Sequence, residues 1–415
     1  MAREDRKDDG RRTGGGGIDR RDFLGFGAGA AGLFCSITAK DLPNLSQRDV
    51  GRLDAAAASL PRPRNARRTA KAANGTPTRP VDWDIVDTYA AGDDEDSPEA
   101  DRVFPVPTPA EGGSIVEYWV EATPVLWDPL GPTRNLTGSN KTRKGVGFDS
   151  WMGVQRNFKP FWALVYQEME PGFSGPKEYE DGSFAKPTMP GPLLEAEVGD
   201  VLEVHFRNAD DRFNQPLTMH PHGVRYTPDY DGIYLADFTR AGGFVAPGEE
   251  FVYRWECLPT SVGAWSYHDH GPNHVLNTAR GLFGSIIVRE KGAAKPESEH
   301  FLHLHSFAPA VTRQTQLLHA INGGAYAGNT PTLRAKVGDQ VDIHVFGTNN
   351  DFHTFHIHGH RWPDSGGMQV DSPTVGPSET LSARFREDNP GRWLYHCHVA
   401  AHMDAGMAGW FLVEA

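Results

Sequence analysis

Pro190 to Asn208 reads PGPLLEAEVGDVLEVHFRN, and Thr330 to Asn349 reads TPTLRAKVGDQVDIHVFGTN. These two stretches begin an internal repeat that decides the fold. After each comes a histidine motif: Met219-His220-Pro221-His222-Gly223 in the first half, His353-Thr354-Phe355-His356-Ile357-His358-Gly359 in the second. A Gly/Pro turn and an apolar strand follow in both. Each half then shows Trp-x-Tyr-His-x-His, at Trp265 to His270 and at Trp393 to His398. Each closes on a glycine-containing strand, GLFGSIIV from Gly281 and GMAGWFLV from Gly406. Short alternating strands separated by turns predict an all-β chain of two Greek-key β-sandwiches. A repeat of about 140 residues is a duplicated domain, not a solenoid unit. The expected organisation is a first domain over 111–290, a linker near 291–299 and a second domain over 300–415.

The histidines of the repeat carry chemistry. In a strand, residues i and i+2 point to the same side. Each His-x-His pair can therefore aim two imidazoles at one metal cluster. There are four pairs: His220/His222, His268/His270, His356/His358 and His396/His398. One pair is weak evidence for a metal; four, at corresponding places in a duplication, are strong. The last cluster is the most specific, because Cys397 lies between His396 and His398, with His402 and Met407 following. A thiolate, two imidazoles and a weak thioether make a blue-copper electron-transfer site. Cys397, His402 and Met407 supply three ligands, and His353 is the natural fourth. Cys397 points opposite to its neighbours on the strand, so it can bind one copper while His396 and His398 bind others behind it. Zinc is disfavoured, since eight paired histidines with one cysteine do not match a four-ligand structural site. Single histidines in a β-core are usually structural, which is the reading for His205, His303, His305 and His344. The sequence leaves His274, His319 and His360 unassigned.

These motifs resemble the multicopper oxidases, and the two-domain length resembles the bacterial small laccases. The resemblance covers about residues 110–415. It implies two cupredoxin-like domains and four coppers per functional unit: one type 1, one type 2 and two type 3. It implies that His220 and His356 bind the type 2 copper. His222, His268, His270, His358, His396 and His398 would bind the type 3 pair. His353, Cys397, His402 and Met407 would hold the type 1 copper. Dioxygen would be reduced to water at the eight-histidine cluster. Tyr226 and Asp231, in GVRYTPDYDG, would lie near that cluster, Asp231 as a proton source and Tyr226 as a reserve electron donor. Asp231-Gly232 is also a plain turn signal. The first domain carries Asp269 where the second has Cys397, so it has no blue site of its own. Copper nitrite reductases, similar in architecture, keep that cysteine in the first domain. The ligands divide evenly between two domains, which implies an interface-built cluster and a homotrimer.

The reductant expected is a small phenolic or other aromatic molecule. The alternatives are a metal-ion oxidase acting on Cu(I), Fe(II) or Mn(II), and a non-catalytic copper electron carrier. The net charge is −13. Residues 1–80 carry 16 Lys/Arg against 9 Asp/Glu, a net of +7, leaving −20 for the remainder. An acidic folded part argues against a nucleic-acid partner. Arg20-Arg21-Asp22-Phe23-Leu24 precedes a short apolar stretch and reads as a Tat-type export signal over 1–39, hence a periplasmic or extracellular protein with no stable membrane span. Residues 40–110, rich in Ala, Pro and Arg, read as a disordered tether. Residues 127–187, with Trp127, Trp151, Phe158, Phe161 and Trp162, read as an insertion into the first domain: a packed covering loop more than a substrate site. Three cysteines, one of them in the signal, leave no disulfide if Cys397 binds metal.

Overall fold

A computed structural model describes residues 104–131 and 158–415 except 237, 238 and 316, together with 52, 54 and 55. The expected export signal lies outside the described residues, as does most of 40–110. No helix among the described residues is long and apolar enough to cross a membrane.

The first domain comprises β1 (Ile115–Trp127), β2 (Phe161–Glu168), β3 (Leu194–Glu197), β4 (Val201–Asn208), β5 (His220–Pro221), β6 (Glu250–Glu256), β7 (Gly263–His268) and β8 (Phe283–Arg289). They form two four-stranded sheets in the orders β2-β1-β4-β6 and β3-β8-β7-β5. The second domain comprises β9 (Ser298–Phe307), β10 (Leu318–Ile321), β11 (Thr332–Lys336), β12 (Gln340–Gly347), β13 (His353–Ile357), β14 (Trp362–Pro363), β15 (Gln369–Val370), β16 (Thr374–Val375), β17 (Thr380–Arg386), β18 (Gly391–Cys397) and β19 (Ala408–Glu414). Its sheets run β10-β9-β12-β17 and β11-β19-β18-β13-β16, with a two-stranded β14-β15 appendage. The orders match apart from the extra edge strand β16 of the second domain: parallel β1/β4 corresponds to parallel β9/β12, and parallel β3/β8 to parallel β11/β19. The duplication read from the motifs is thus a duplication of whole all-β sandwiches.

Period-two burial explains the strands. Along β6 and β13 buried residues alternate with more exposed ones, so one face turns to the core. Leu202, Val204, Phe206, Tyr253, Trp255 and Ile286 fill the first core; Leu304, Val341, Ile343, Val345, Phe355 and Phe411 fill the second. Each such side chain contributes about 1.5–3 kcal/mol on burial. The Val-Gly-Asp step of the repeat makes the same turn twice. Gly199 and Gly338 both have φ 98°, a conformation that favours glycine. Asp200 and Asp339 accept backbone N–H bonds from Glu197 and Lys336 at 2.9 and 2.8 Å. A third apolar cluster joins the domains, packing Phe161, Val165, Leu276 and Phe283 with Phe307, Leu318, Tyr326 and Ala408.

Two sequence-based expectations need correction. The span 127–187 is not wholly an insertion: β2 lies inside it and pairs antiparallel with β1 from Val120↔Glu168 to Trp127↔Phe161. It is the counterpart of β10 in the repeat. Both its faces are mostly covered, so it lacks the alternation that marks a strand in sequence. Nor is all of 40–110 unordered. Asp54 forms an ion pair with Arg280 at 2.8 Å, and its backbone oxygen accepts from Gln215 Nε2 at 2.8 Å. Arg280 is 2% exposed, and a buried guanidinium requires such a partner.

Candidate metal centre

The end of β18 brings Cys397 into the second core. Its Sγ lies 3.8 Å from His353 Nδ1 and 3.7 Å from His402 Nδ1. His353 starts β13, and His402 lies in α3 (Ala400–Asp404), following α1 (His274–Arg280) and α2 (Pro309–Thr312). Met407 is fully buried in the same core, and its backbone oxygen accepts from Cys397 N at 3.1 Å. Two imidazoles converging on a cysteine thiol, with Met407 adjoining it through the backbone, fit a copper of the blue type. Burial holds the His353 imidazole down at about 3, with His402 adding to the effect. It therefore stays in the neutral, metal-binding form. Burial also pushes the Cys397 thiol up, so its thiolate is stabilised only with a cation in place.

The four pairs form two matching quartets. Antiparallel pairing sets His220 opposite His268 on β5/β7, and His356 opposite His396 on β13/β18. In the first quartet, ring centroids lie 5.1 Å apart for His220/His222, 5.5 Å for His220/His268 and 5.1 Å for His220/His270. In the second, the corresponding separations from His356 are 5.3, 5.4 and 5.5 Å to His358, His396 and His398. His222 Nε2 faces His268 Nε2 at 3.0 Å; His358 Nε2 faces His396 Nε2 at 3.3 Å.

The outer ring nitrogens are also matched. His220 Nδ1 donates to Asp231 O and His356 Nδ1 to Asp371 O, both at 2.7 Å. His268 and His396 donate Nδ1–H to the carbonyls of Asp269 and Cys397, both at 2.9 Å. Holding the proton on Nδ1 leaves the Nε2 lone pair free for a metal. Burial is the main cause that lowers His222 and His396 to about 4 and His270 to about 3. Among the described residues, no hydrogen bond or ring contact joins one quartet to the other. The His356 side opens on a cleft of about 500 Å³ lined also by His360, Arg361 and Gln369.

Asp231 and Tyr226 both reach the first quartet. Asp231 Oδ1 is 2.9 Å from His220 Nδ1, and the Tyr226 ring lies 5.7 Å from that of His220. Burial, reinforced by the Asp231 charge, pushes the Tyr226 phenol up to about 12. Asp269 is fully buried and binds no histidine through its carboxylate. Its Oδ1 accepts from Thr218 N at 2.8 Å and its Oδ2 from Asn277 Nδ2 at 3.2 Å. The first domain keeps a further trace of a thiolate site. His274 follows Asp269 by five residues, as His402 follows Cys397, but Leu217 stands where the second half has His353. The His274 ring stacks on His270 at 4.5 Å.

The remaining histidines have ordinary partners. His303 bridges Ser285 and Thr348 at 2.9 and 2.8 Å. His305 Nε2 accepts from Gly323 N at 2.9 Å. His344 meets Ser382 and Glu299, and His205 stacks on Trp119 at 3.9 Å beside Glu203. The spacing-based reading missed His360, whose Nδ1 donates to the carbonyl of His358 at 2.8 Å and whose Nε2 meets both Glu387 oxygens at 3.1 Å. It also missed His319, stacked on His402 at 4.0 Å.

Family models described as multicopper oxidase match residues 179–293 and 293–415. A protein of Kuenenia stuttgartiensis named as a probable nitrite reductase-hydroxylamine oxidoreductase fusion is 32% identical over 244 residues, 55% of this chain and 28% of that protein. Ferroxidase HEPHL1 of Homo sapiens is 29% identical over 272 residues, 54% of this chain and 23% of that protein. The chain thus spans less than a third of these relatives. Among solved structures, the blue copper oxidase from Nitrosomonas europaea superposes with a TM-score of 0.52 at 20% identity, covering 72% of this chain and 86% of that one. At that identity the likeness concerns the fold.

Proposed function

The chain belongs to the multicopper oxidase family, and from that premise we propose that it is a laccase-like oxidase. It takes single electrons from a phenolic or other aromatic reductant at Cys397, His353, His402 and Met407. Two matching histidine quartets and a single thiolate site in one chain carry this reading. Copper bound at these ligands supplies the one-electron acceptor at the thiolate and the centre for reducing dioxygen to water at the histidines. The chain's own residues do the rest. Cys397 is joined through the backbone to His396 and His398, a continuous covalent link between the two ligand sets. The carbonyls of Asp231, Asp269, Asp371 and Cys397 hold protons on Nδ1 and so aim Nε2. Asp231, against His220, is placed to hold and release a proton that oxygen reduction consumes. Tyr226 keeps its phenol proton at ordinary pH and serves as a reserve electron donor.

A complete cluster of one type 2 and two type 3 coppers takes one quartet from each of two copies, and the assembly is a homotrimeric ring. The twin-arginine start makes it an exported protein. Size-exclusion chromatography of the copper-loaded protein tests the ring; an active monomer sinks it. A second reading, metal-ion oxidation, is supported by likeness to a protein named a ferroxidase. Oxygen uptake measured side by side with a phenol, Fe(II), Cu(I) and Mn(II) separates the two. No uptake with any of them refutes the oxidase and leaves the electron carrier.

A further inference from the structure

His319 is not one of the copper ligands, yet it is packed against one. Its ring stacks on His402 at 4.0 Å between centroids and 20° between planes. Its Nδ1 is 2.7 Å from Ser306 Oγ, and Ser306 Oγ donates to Asp351 Oδ2 at 3.0 Å. A serine hydroxyl has one proton. That proton goes to the carboxylate, so Ser306 must accept from His319 Nδ1–H. Both the tautomer and the ring plane of His319 are thereby fixed.

The backbone holds the same arrangement. Ser306 and His319 are register partners on β9 and β10, and His319 N donates to Ala405 O at 3.1 Å, just past α3. His319 is 4% exposed. Burial, with smaller contributions from His402 and His353, lowers it to about 3 and so keeps it uncharged. In the first half, His274, which corresponds to His402 and not to His319, stacks on the quartet histidine His270.

We propose that Asp351, Ser306 and His319 form a clamp that fixes the His402 imidazole at the type 1 copper and shields one face of it from water, setting the potential at which the site accepts an electron. The proposal rests on the reading of His402 as a copper ligand. A copper–thiolate unit loses net charge on reduction, and a drier surrounding favours the less charged form. His319 is a positioning residue, since it acts through His402.

The test uses the full, copper-loaded chain and three variants: His319→Ala, His319→Phe and Ser306→Ala. Redox titration followed at the blue band gives the type 1 potential, and chelator competition gives its copper affinity. His319→Ala is expected to lower the potential and to weaken copper retention by about 10- to 100-fold, the range for losing a residue that supports a ligand. His319→Phe keeps the face covered and recovers the native potential. Ser306→Ala shifts both quantities in the direction of His319→Ala, by less. A blue native chain whose His319→Ala keeps the native potential and affinity overturns the clamp alone, as does a Phe variant that shifts as far as Ala. If His319→Ala does not fold, an unchanged Ser306→Ala overturns it. A native chain with no blue band overturns the type 1 assignment, and the clamp with it.

Discussion

Replacing Asp269 with alanine measures how the first domain uses the position that carries the thiolate in the second. Asp269 is fully buried. Its carboxyl accepts from the backbone of Thr218 at 2.8 Å and from Asn277 Nδ2 at 3.2 Å. Thr218 and Asn277 are themselves fully buried. Alanine leaves two buried donors without an acceptor, at about 1–3 kcal/mol each. The expected loss is therefore roughly 2–6 kcal/mol of the stability of a domain that typically has about 5–15 kcal/mol. Asparagine keeps an oxygen for Thr218 and loses much less. Denaturant unfolding of the three proteins, with m-values compared, gives the two differences. An alanine variant within about 1 kcal/mol of native, at unchanged m, refutes the account, since orphaning even one donor costs about that much. Equal losses for alanine and asparagine refute it differently: the charge, and not the oxygen acceptor, would then be what the fold needs.

Replacing Cys397 with serine should abolish the blue colour and the oxidation of reductant while the quartets still bind copper; absorption spectra with copper analysis check this, and retained colour refutes the assignment. Replacing Asp231 with alanine removes a carboxylate 2.9 Å from His220 and is expected to slow oxygen reduction by about 10- to 100-fold. Asp231→Asn separates two causes: a variant with full copper content and equally slow turnover supports proton supply, and one with native turnover shows that orientation alone matters.

The clustering of the histidines was legible because strand geometry is local. In a period of two, residues i and i+2 share a side, so His-x-His in a predicted strand already says where two rings point. Four such pairs in a repeat then say that two sheets aim at metal. Contacts made across distant elements were not legible. His319 reaches His402 over 83 positions of chain, through a strand register and a short helix that no pattern in either segment encodes. His360 gave no signal because its role is to tie a backbone carbonyl to Glu387. The β2 strand escaped because a strand covered on both faces does not alternate. Asp54 was hidden for another reason. A stretch of Ala, Pro and Arg reads correctly as poor in core-forming residues, yet one carboxylate suffices to hold a buried Arg280.

The asymmetry between the halves bears on assembly. Position 269, just past the end of β7, corresponds in the repeat to position 397, the last residue of β18. In the second half the inward Cys397 Sγ lies 3.8 Å from His353 Nδ1 at the start of β13, where a thiolate site is proposed. In the first half Leu217 stands there, and the inward group is spent on Thr218 and Asn277. On the proposed reading, each chain offers two half-clusters and one point of electron entry. In an open head-to-tail row, the end copies would each carry an unpartnered quartet, and one thiolate site would have no finished cluster behind it. A heterologous contact avoids that only by closing into a ring. In a ring, clusters and entry points are equal in number, and each cluster is joined through Cys397 to one of the two chains that build it. One proposed thiolate site per chain supports the proposed ring as much as the divided histidines do. A Leu217→His/Asp269→Cys variant, if it gained a second blue site per chain, would break that equality without altering the ring.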